Sequence, residues 1–269
     1  MDSPVAPRYY LDNFRTALNW IEARSKDLLR SSERDFLTIF AQLPDASQAL
    51  LVRLVMRSKV HFRQHKLSYT EVGDISSAAD PLLTAGFLAD DWPITSVELA
   101  DLLLKDELAQ VLSSLELQKV NRKSDMLLLL EQANLAPRPF TEWCGFLTDN
   151  DQHDRLLTVT VSETVERLRL LFFGNHHQAW EAFVLANLGV QRFEAVALSP
   201  SARGFQSLAE VNAVESVARC RQALYVGEVT SKIWQSLQLI TPLDGYVHSR
   251  WHKCALAIGR QAEKEHDWE

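Results

Sequence analysis

The sequence predicts a mainly α-helical protein, and three observations carry that expectation. Nine Gly and nine Pro in 269 residues are too few for the many turns of a β-sandwich. Apolar stripes at helical spacing recur from Tyr9 to Lys264. Only residues 156–161 (LLTVTV) and 191–198 (QRFEAVAL) read as short strands.

Bulk composition narrows the class further. At 46% hydrophobic and 23% charged, the chain is that of an ordinary folded protein. No window approaches eighteen apolar residues, so no membrane span and no membrane partner are expected. The start, MDSPVAPRYY, lacks the basic-then-apolar order of a secretory signal. Cys144, Cys220 and Cys254 are odd in number, far apart and without a CxxC, and read as reduced core thiols of a cytoplasmic protein. A net charge of −7 excludes a chain that coats nucleic acid over its whole surface, so contact with a polyanion must be a local patch.

Residues 9–31 carry the stripe Phe14, Leu18, Ile21, Leu28 and Leu29 beside Arg15, Arg24, Lys26 and Arg30. Residues 31–35 look like a capped start for a short helix over 36–43. Pro44-Asp45 is a turn with Asp45 as N-cap, and a helix follows over 47–57. The run 47–70 holds Arg53, Arg57, Lys59, Arg63 and Lys66 and no Asp or Glu, with Leu50, Leu51, Leu54, Val55 and Phe62 interleaved. A basic face on an acidic protein points to an anionic partner, of which phosphate backbones are the commonest. Residues 67–73 read as a short helix closed by Gly73, and 76–85 as another closed by Gly86. Helix, turn, helix and then an extended "AGFL" is the rhythm of a winged-helix unit, and periodicity alone fits a generic helical bundle equally.

Asp90-Asp91-Trp92-Pro93 breaks the chain, giving a first domain over 1–92. A second, over 93–135, contains helices at 95–103, with Glu98 in the first turn, 105–115 and 124–132, the last capped by Ser124 with Asp125 behind it. The extended loop 116–123 sets Lys119, Arg122 and Lys123 beside a helix N-terminus, where cations and free N–H groups suit a phosphate. A solvated loop is the alternative reading. Pro137 and Pro139 mark a linker into a third region, 136–269. There, residues 165–173, 180–188, 208–225, 230–239 and 246–264 read as helices, and the last carries Cys254, Ala255, Ala257, Ile258 and Ala262 at spacings typical of paired-helix, TPR-like repeats. The chain stops where an inter-helix turn would sit, which leaves the last helix without a partner and predicts a piece of a longer protein.

Chemistry of its own is not evident. GxG loops, GKS/GKT, GxSxG and HExxH are absent. His153-Asp154, His266-Asp267 and His176-His177 lie in polar, unpatterned surroundings. A metal nuclease of the Asp…Glu-x-Lys type needs an acid two residues before a Lys. The residues in that position are Arg24, Arg57, Gln64, Leu103, Leu117, Asn121, Thr230, Trp251 and Ala262. No catalytic residue and no metal ligand is therefore assigned.

Several stretches resemble the shared core of the Fanconi-associated nucleases, structure-specific DNA repair nucleases with a C-terminal VRR-NUC domain. They are Tyr9-Tyr10-Leu11; Val52-Arg53-Leu54 followed by Arg57; Leu67-Ser68-Tyr69-Thr70-Glu71; and Ala85-Gly86-Phe87-Leu88. Residues 105–132 look like that family's SAP domain. Val184 to Gly189, running into Arg192-Phe193-Glu194, resembles its next block, and residues 246–269 the opening of its helical repeats. The lack of a long N-terminal extension resembles bacterial members.

The resemblance implies that the full protein is a Mg²⁺- or Mn²⁺-dependent phosphodiesterase. It would cut 5′-flap and related branched double-stranded DNA in interstrand crosslink repair, acting at the nucleoid. It also implies that the catalytic VRR-NUC domain is absent from this chain, that the metal binds outside it, and that the C-terminal nuclease half is its partner. By family position, Tyr10, Arg53, Arg57 and Tyr69 look like the DNA-contacting surface. Where the family often has a base right after the Arg57 equivalent, this chain has Ser58 and then Lys59. The alternatives are a helical interaction module that binds no nucleic acid and a free-standing hydrolase using His153 or His176.

Overall fold

A computed structural model describes residues 8–146, 148–149, 152–184, 203–242 and 245–265. The expected strand at 191–198 and the motif running through Asn187 to Glu194 lie outside the described residues. The chain forms two compact units, one of residues 1–18, 33–167 and 179–193, the other of 19–32, 168–178 and 194–269.

The first unit begins with the N-terminal part of α1 (Tyr9–Ser25), then α2 (Ser31–Gln42) and α3 (Asp45–Val55). In α3, Ala49, Leu50, Leu51, Val52 and Leu54 are all fully buried. Apolar side chains on every side make it a core helix rather than an amphipathic one. At about 1.5–3 kcal/mol for each buried aliphatic side chain, it anchors the unit. Phe14 meets Phe40 at 5.6 Å and Trp180 at 5.0 Å between ring centroids, and Phe36 stacks on Phe40 and Phe87. Then come β1 (His61–Arg63), α4 (Ile75–Thr84) and β2 (Leu88–Ala89).

Residues 67–73 do not form the expected helix. Tyr69 carbonyl oxygen accepts from the N–H groups of Val72 and Gly73, and Gly73 leaves the turn at φ +86°. The buried residues are Leu67 and Val72, five apart, so no single helical face could bury both. Isolated, one turn of helix does not repay its nucleation cost. Asp45 also departs from expectation. Pro44 holds the cap position, and the Asp45 carboxylate instead accepts from Arg15 at 2.5 Å.

The next stretch holds α5 (Ser96–Leu102), α6 (Lys105–Ser114), α7 (Lys123–Gln132) and α8 (Phe140–Cys144). α5 opens on a capping box: Thr95 Oγ1 accepts from the Glu98 N–H at 3.2 Å, and Glu98 accepts from the Thr95 N–H at 2.7 Å. α7 starts one residue early, with Arg122 at the cap, and Ser124 lies inside it donating to Asp125. Leu99, Leu108, Val111, Leu112, Met126, Leu130 and Trp143 form one buried cluster. Trp143 Nε1 donates to Ile94 carbonyl oxygen at 3.0 Å, and Ile94 and Arg138 exchange backbone bonds that close the subdomain.

A hairpin of β3 (Thr148–Asp149) and β4 (Gln152–His153) leads into β5 (Leu156–Val159). The expected strand at 156–161 is therefore present, with a partner that local patterning did not reveal. β5 is the centre of a three-stranded antiparallel sheet, β1-β5-β2. Phe62 pairs with Leu157, and Leu88 with Val159. All four β5 residues are buried, so the strand is covered on both faces and Thr158 needs a partner, which His61 Nδ1 supplies at 2.9 Å. The linker after residue 135 thus returns the chain to the N-terminal unit. The sequence-based division at 135/136 runs through this unit, because sheet pairing joins residues 61–63, 88–89 and 156–159. The start of α9 (Ser162–Phe173) and α10 (Trp180–Val184) complete it, with Arg167 and Glu33 forming a buried ion pair at 3.1 Å.

The second unit packs α11 (Leu208–Tyr225), α12 (Thr230–Gln238) and α13 (Tyr246–Glu265) around Val217, Cys220, Ile233, Leu237, Cys254 and Ile258. Within it, Arg203 forks onto both Asp27 carboxylate oxygens at 2.6 and 2.8 Å, and Arg30 reaches Asn212 and Glu215. No helix among the described residues is long and apolar enough to cross a membrane.

All three thiols are free and buried. Burial pushes Cys144 up to about 12 and Cys254 up to about 11, and raises Cys220. A thiol needs its thiolate to react. Ellman's reagent at pH 8 should therefore find no fast-reacting thiol in the native chain and three after denaturation.

Candidate nucleic-acid interface

The site grows from the C-terminal end of α3. Arg53 lies in the last turn of α3 and Arg57 two residues beyond its end, and the Tyr69 ring draws both guanidiniums to one place. The turn 67–73 lays Tyr69 and Glu71 there. The Arg53 guanidinium carbon lies 4.1 Å from the Tyr10 ring centroid and 5.5 Å from that of Tyr69. Arg53 Nε donates to Glu71 Oε1 at 2.8 Å, and its Nη2 donates to the same oxygen. Arg8 Nε donates to the Glu71 carbonyl oxygen at 2.9 Å, fixing the turn from a second side.

Arg57 differs from Arg53 in what faces it. Its guanidinium carbon lies 5.5 Å from the Tyr69 ring and 5.8 Å from Phe62. It is exposed and has no carboxylate partner among the described residues, and the same holds for Lys59. Aromatic faces orient a guanidinium without cancelling its charge. Arg57 and Lys59 thus present full positive charge to solvent, while Arg53 shares its charge with Glu71.

Two expected contacts, Tyr10 and Arg63, are buried in the structure. Tyr10 is fully buried and floors the Arg53 guanidinium. Its hydroxyl lacks a full hydrogen bond. Burial and then the Glu71 charge push that phenol up to about 12, so it stays protonated. Arg63 is withdrawn from the surface altogether, with its side chain 4% exposed. Its Nε donates to Asp154 Oδ2 at 2.5 Å and its Nη1 to Glu107 Oε2 at 2.7 Å. Two carboxylates hold this base because β1 points it into the interior, where a single cation must be compensated. Lys123 stays exposed with its charge uncancelled, while its Nζ donates to Leu103 carbonyl oxygen at 2.8 Å and ties the start of α7 to the end of α5.

The other expected contacts remain at the surface. Tyr69 is half-buried, with its ring turned to both arginines. Lys66 is 39% exposed and 3.9 Å from Glu107. Lys119 and Arg122 are exposed on the α6–α7 loop, without carboxylate partners among the described residues. They form a second patch next to a groove lined by Gln110, Asn121, Met126 and Phe146. Sequence reasoning missed Arg8, Glu71, Glu107 and Asp154 as members of the site's framework. Glu71 closes the stretch Leu67-Ser68-Tyr69-Thr70-Glu71, but nothing local couples it to Arg53. Among the described residues no three His, Cys, Asp or Glu side chains converge to hold a metal ion.

The carboxylates that hold these arginines link the patch to pH. Burial pushes Glu71 up, but backbone N–H groups and Arg53 outweigh it, and the net direction is below the usual 4.5. Glu107 behaves alike, through burial opposed by the Leu104 N–H and Arg63. A carboxyl depressed in the folded state stabilises it above the unfolded value and loses that contribution as pH falls through the folded value. Urea midpoints should therefore stay flat from pH 7 to about 5.5 and fall below about pH 4.5. In Glu71→Gln the acid-side drop should be smaller.

Comparisons with known proteins fit this layout. Residues 8–89 match the family model described as FAN1, HTH domain, and residues 93–143 match the Fanconi anemia-associated nuclease SAP domain. A Fanconi-associated nuclease 1 homolog from Pseudomonas aeruginosa is 37% identical over 272 residues, covering 100% of this chain and 48% of that protein. One from Oryza sativa subsp. japonica is 29% identical over 236 residues, covering 82% of this chain and 24% of that protein. The crystal structure of paFAN1 bound to 2nt 5′flap DNA with gap matches with a TM-score of 0.89 at 37% identity, over 99% of this chain and 48% of that one. The complex with 1nt 5′flap DNA with gap matches with a TM-score of 0.86 at 38% identity, over 97% of this chain and 48% of that one. The chain spans about half the length of the Pseudomonas relative. With both domain models in order and a match along its whole length, the chain carries the HTH and SAP domains of the Fanconi-associated nucleases and is similar throughout to the N-terminal part of the Pseudomonas relative.

Proposed function

We propose that this chain is the DNA-binding and substrate-positioning part of a structure-specific 5′-flap nuclease, a phosphodiesterase acting in DNA interstrand crosslink repair. The observation that carries the proposal is the match along 99% of the chain to paFAN1 solved with 5′flap DNA. Arg57 and Lys59, exposed beside an aromatic floor, support it, as do Lys119 and Arg122 on the second patch. Contacts of this kind fix a duplex in register without reading its sequence, which suits an enzyme that recognises branch shape. Arg53 and Tyr69 position Arg57, and Lys66 lies at the edge of the patch.

The hydrolytic centre, with Mg²⁺ or Mn²⁺, belongs to the C-terminal nuclease half of the same protein. There the ion would stabilise charge on the transferring phosphoryl group. The α12–α13 groove, with Trp234 and Leu256 exposed along it, supports docking of that half here. The site of action is bacterial DNA in the cytoplasm. Residues 1–92 serve as the main DNA-binding region, 93–135 as the SAP-like second contact and 136–269 as the bridge to the nuclease.

Fluorescence anisotropy tests this directly. Affinity for a 5′-flap duplex should fall between 50 and 200 mM salt, with a log–log slope of about −0.9 for each phosphate neutralised. Salt-independent binding, or none at 50 mM, would sink the proposal. The chain alone should leave a labelled flap intact in Mg²⁺ or Mn²⁺. Cleavage would move the hydrolytic centre onto its own residues.

A further inference from the structure

We infer that His248 and His252 form a two-imidazole site for a late divalent transition-metal ion on the exposed face of α13. The two residues are four apart on a 20-residue helix, so their side chains rise from the same face one turn apart. Their Nε2 atoms lie 3.0 Å from each other, and their ring centroids 4.2 Å apart. The opposite face of α13 is anchored by Val247, Cys254 and Ile258, all buried, so the backbone that carries the pair is fixed.

The spacing is what a chelate needs. Two imidazole nitrogens about 2.05 Å from one ion lie about 2.9 Å apart at a right angle and about 3.3 Å apart at a tetrahedral one. The observed 3.0 Å lies close to the right-angle case. That favours Ni²⁺ or Cu²⁺ in square-planar or octahedral geometry over tetrahedral Zn²⁺. Without metal, the same closeness is a hydrogen bond in which one Nε2–H donates to the other Nε2. The donating ring shifts its proton from Nε2 to Nδ1 by exchange with solvent, so both Nε2 lone pairs face the ion and both imidazoles stay neutral, with no net proton released. No third His, Cys, Asp or Glu joins the pair among the described residues, so water completes the coordination and leaves positions open. The site is independent of the DNA reading, since neither imidazole belongs to the basic patches.

The test is isothermal titration of the tag-free chain with Ni²⁺, repeated with His248→Ala, His252→Ala and, as a control, His177→Ala. The wild type should bind one tight equivalent. Each of the first two variants should weaken it by more than about tenfold, because each removes the intramolecular second ligand. His177→Ala, which removes an imidazole on the same unit beside Arg250, should leave it unchanged. Cu²⁺ should show two equivalent nitrogen couplings in its electron paramagnetic resonance spectrum, and one in either variant. The Trp251 ring, 5.2 Å from His252, should be quenched in the wild type only. Both side chains are exposed, so circular dichroism should show folded variants. Absence of binding in the wild type at millimolar Ni²⁺ would overturn the site, and so would wild-type affinity in either single variant.

Discussion

Replacing Arg63 with Ala is expected to cost about 3–5 kcal/mol of unfolding free energy, read from urea denaturation. Arg63 is 5% exposed and Asp154 7%, and Glu107 closes the cluster from the start of α6. Removing the cation leaves two carboxylates close together, with only His65, 2.7 Å from Asp154, and the half-exposed Lys66, 3.9 Å from Glu107, beside them. Glu107 has a second task, because its Oε2 accepts from the Leu104 N–H at 2.6 Å and so caps α6. The loss therefore reaches the second subdomain. Adding Asp154→Asn to Arg63→Ala should restore part of the stability, since it removes one of the stranded charges. A loss under about 1 kcal/mol for Arg63→Ala would show that the cluster is wet and the pair weak. Under conditions where Arg63→Ala is folded, the salt slope of DNA binding should match the wild type.

Arg57→Ala combined with Lys59→Ala is expected to act in the opposite way. Neither side chain supports the core, so stability should change by less than about 0.5 kcal/mol. Affinity for a 5′-flap duplex at 0.1 M salt should fall by about tenfold for each cation removed, and the salt slope should become shallower by about 1 for each. Arg57→Lys separates charge from shape. It keeps the slope but loses the planar guanidinium that lies against the Tyr69 and Phe62 rings, so it should recover only part of the affinity. If the double variant kept both affinity and slope, the patch at the end of α3 would not be where phosphates bind.

These two results separate bases that the sequence presents alike. Arg57 and Arg63 lie six residues apart in one acid-free run, and composition ranks them equally. What divides them is Asp154, 91 positions downstream, together with the register of β1 against β5. Local chemistry was legible wherever its cause is local. The Thr95–Glu98 capping box, the stripe of α1 and the break before Pro93 all depend on neighbours within a turn or two. α1 ends at Ser25 instead of running to residue 31, a boundary that the apolar stripe did not mark. β1 and β2, at three and two residues, are too short to show alternation. β5 was visible, but its partners were not, because pairing between distant strands leaves no trace in periodicity. Family position puts Tyr10 on the DNA-contacting surface, whereas in the fold the Arg53 guanidinium covers its ring.

The central place of β5 bears on how the chain acquires its fold. β1 and β2 are both synthesised well before β5, and neither hydrogen-bonds to the other. Until Val159 has left the ribosome, the nascent N-terminal region carries two unpaired strand edges next to Phe62 and Leu88, which end up buried. A closure spanning so much sequence is entropically slow, and the interval before it is when such edges recruit other chains. A fragment cut at the HTH boundary would stay in that condition permanently. Work on the DNA-binding region in isolation therefore belongs on pieces that extend past residue 159.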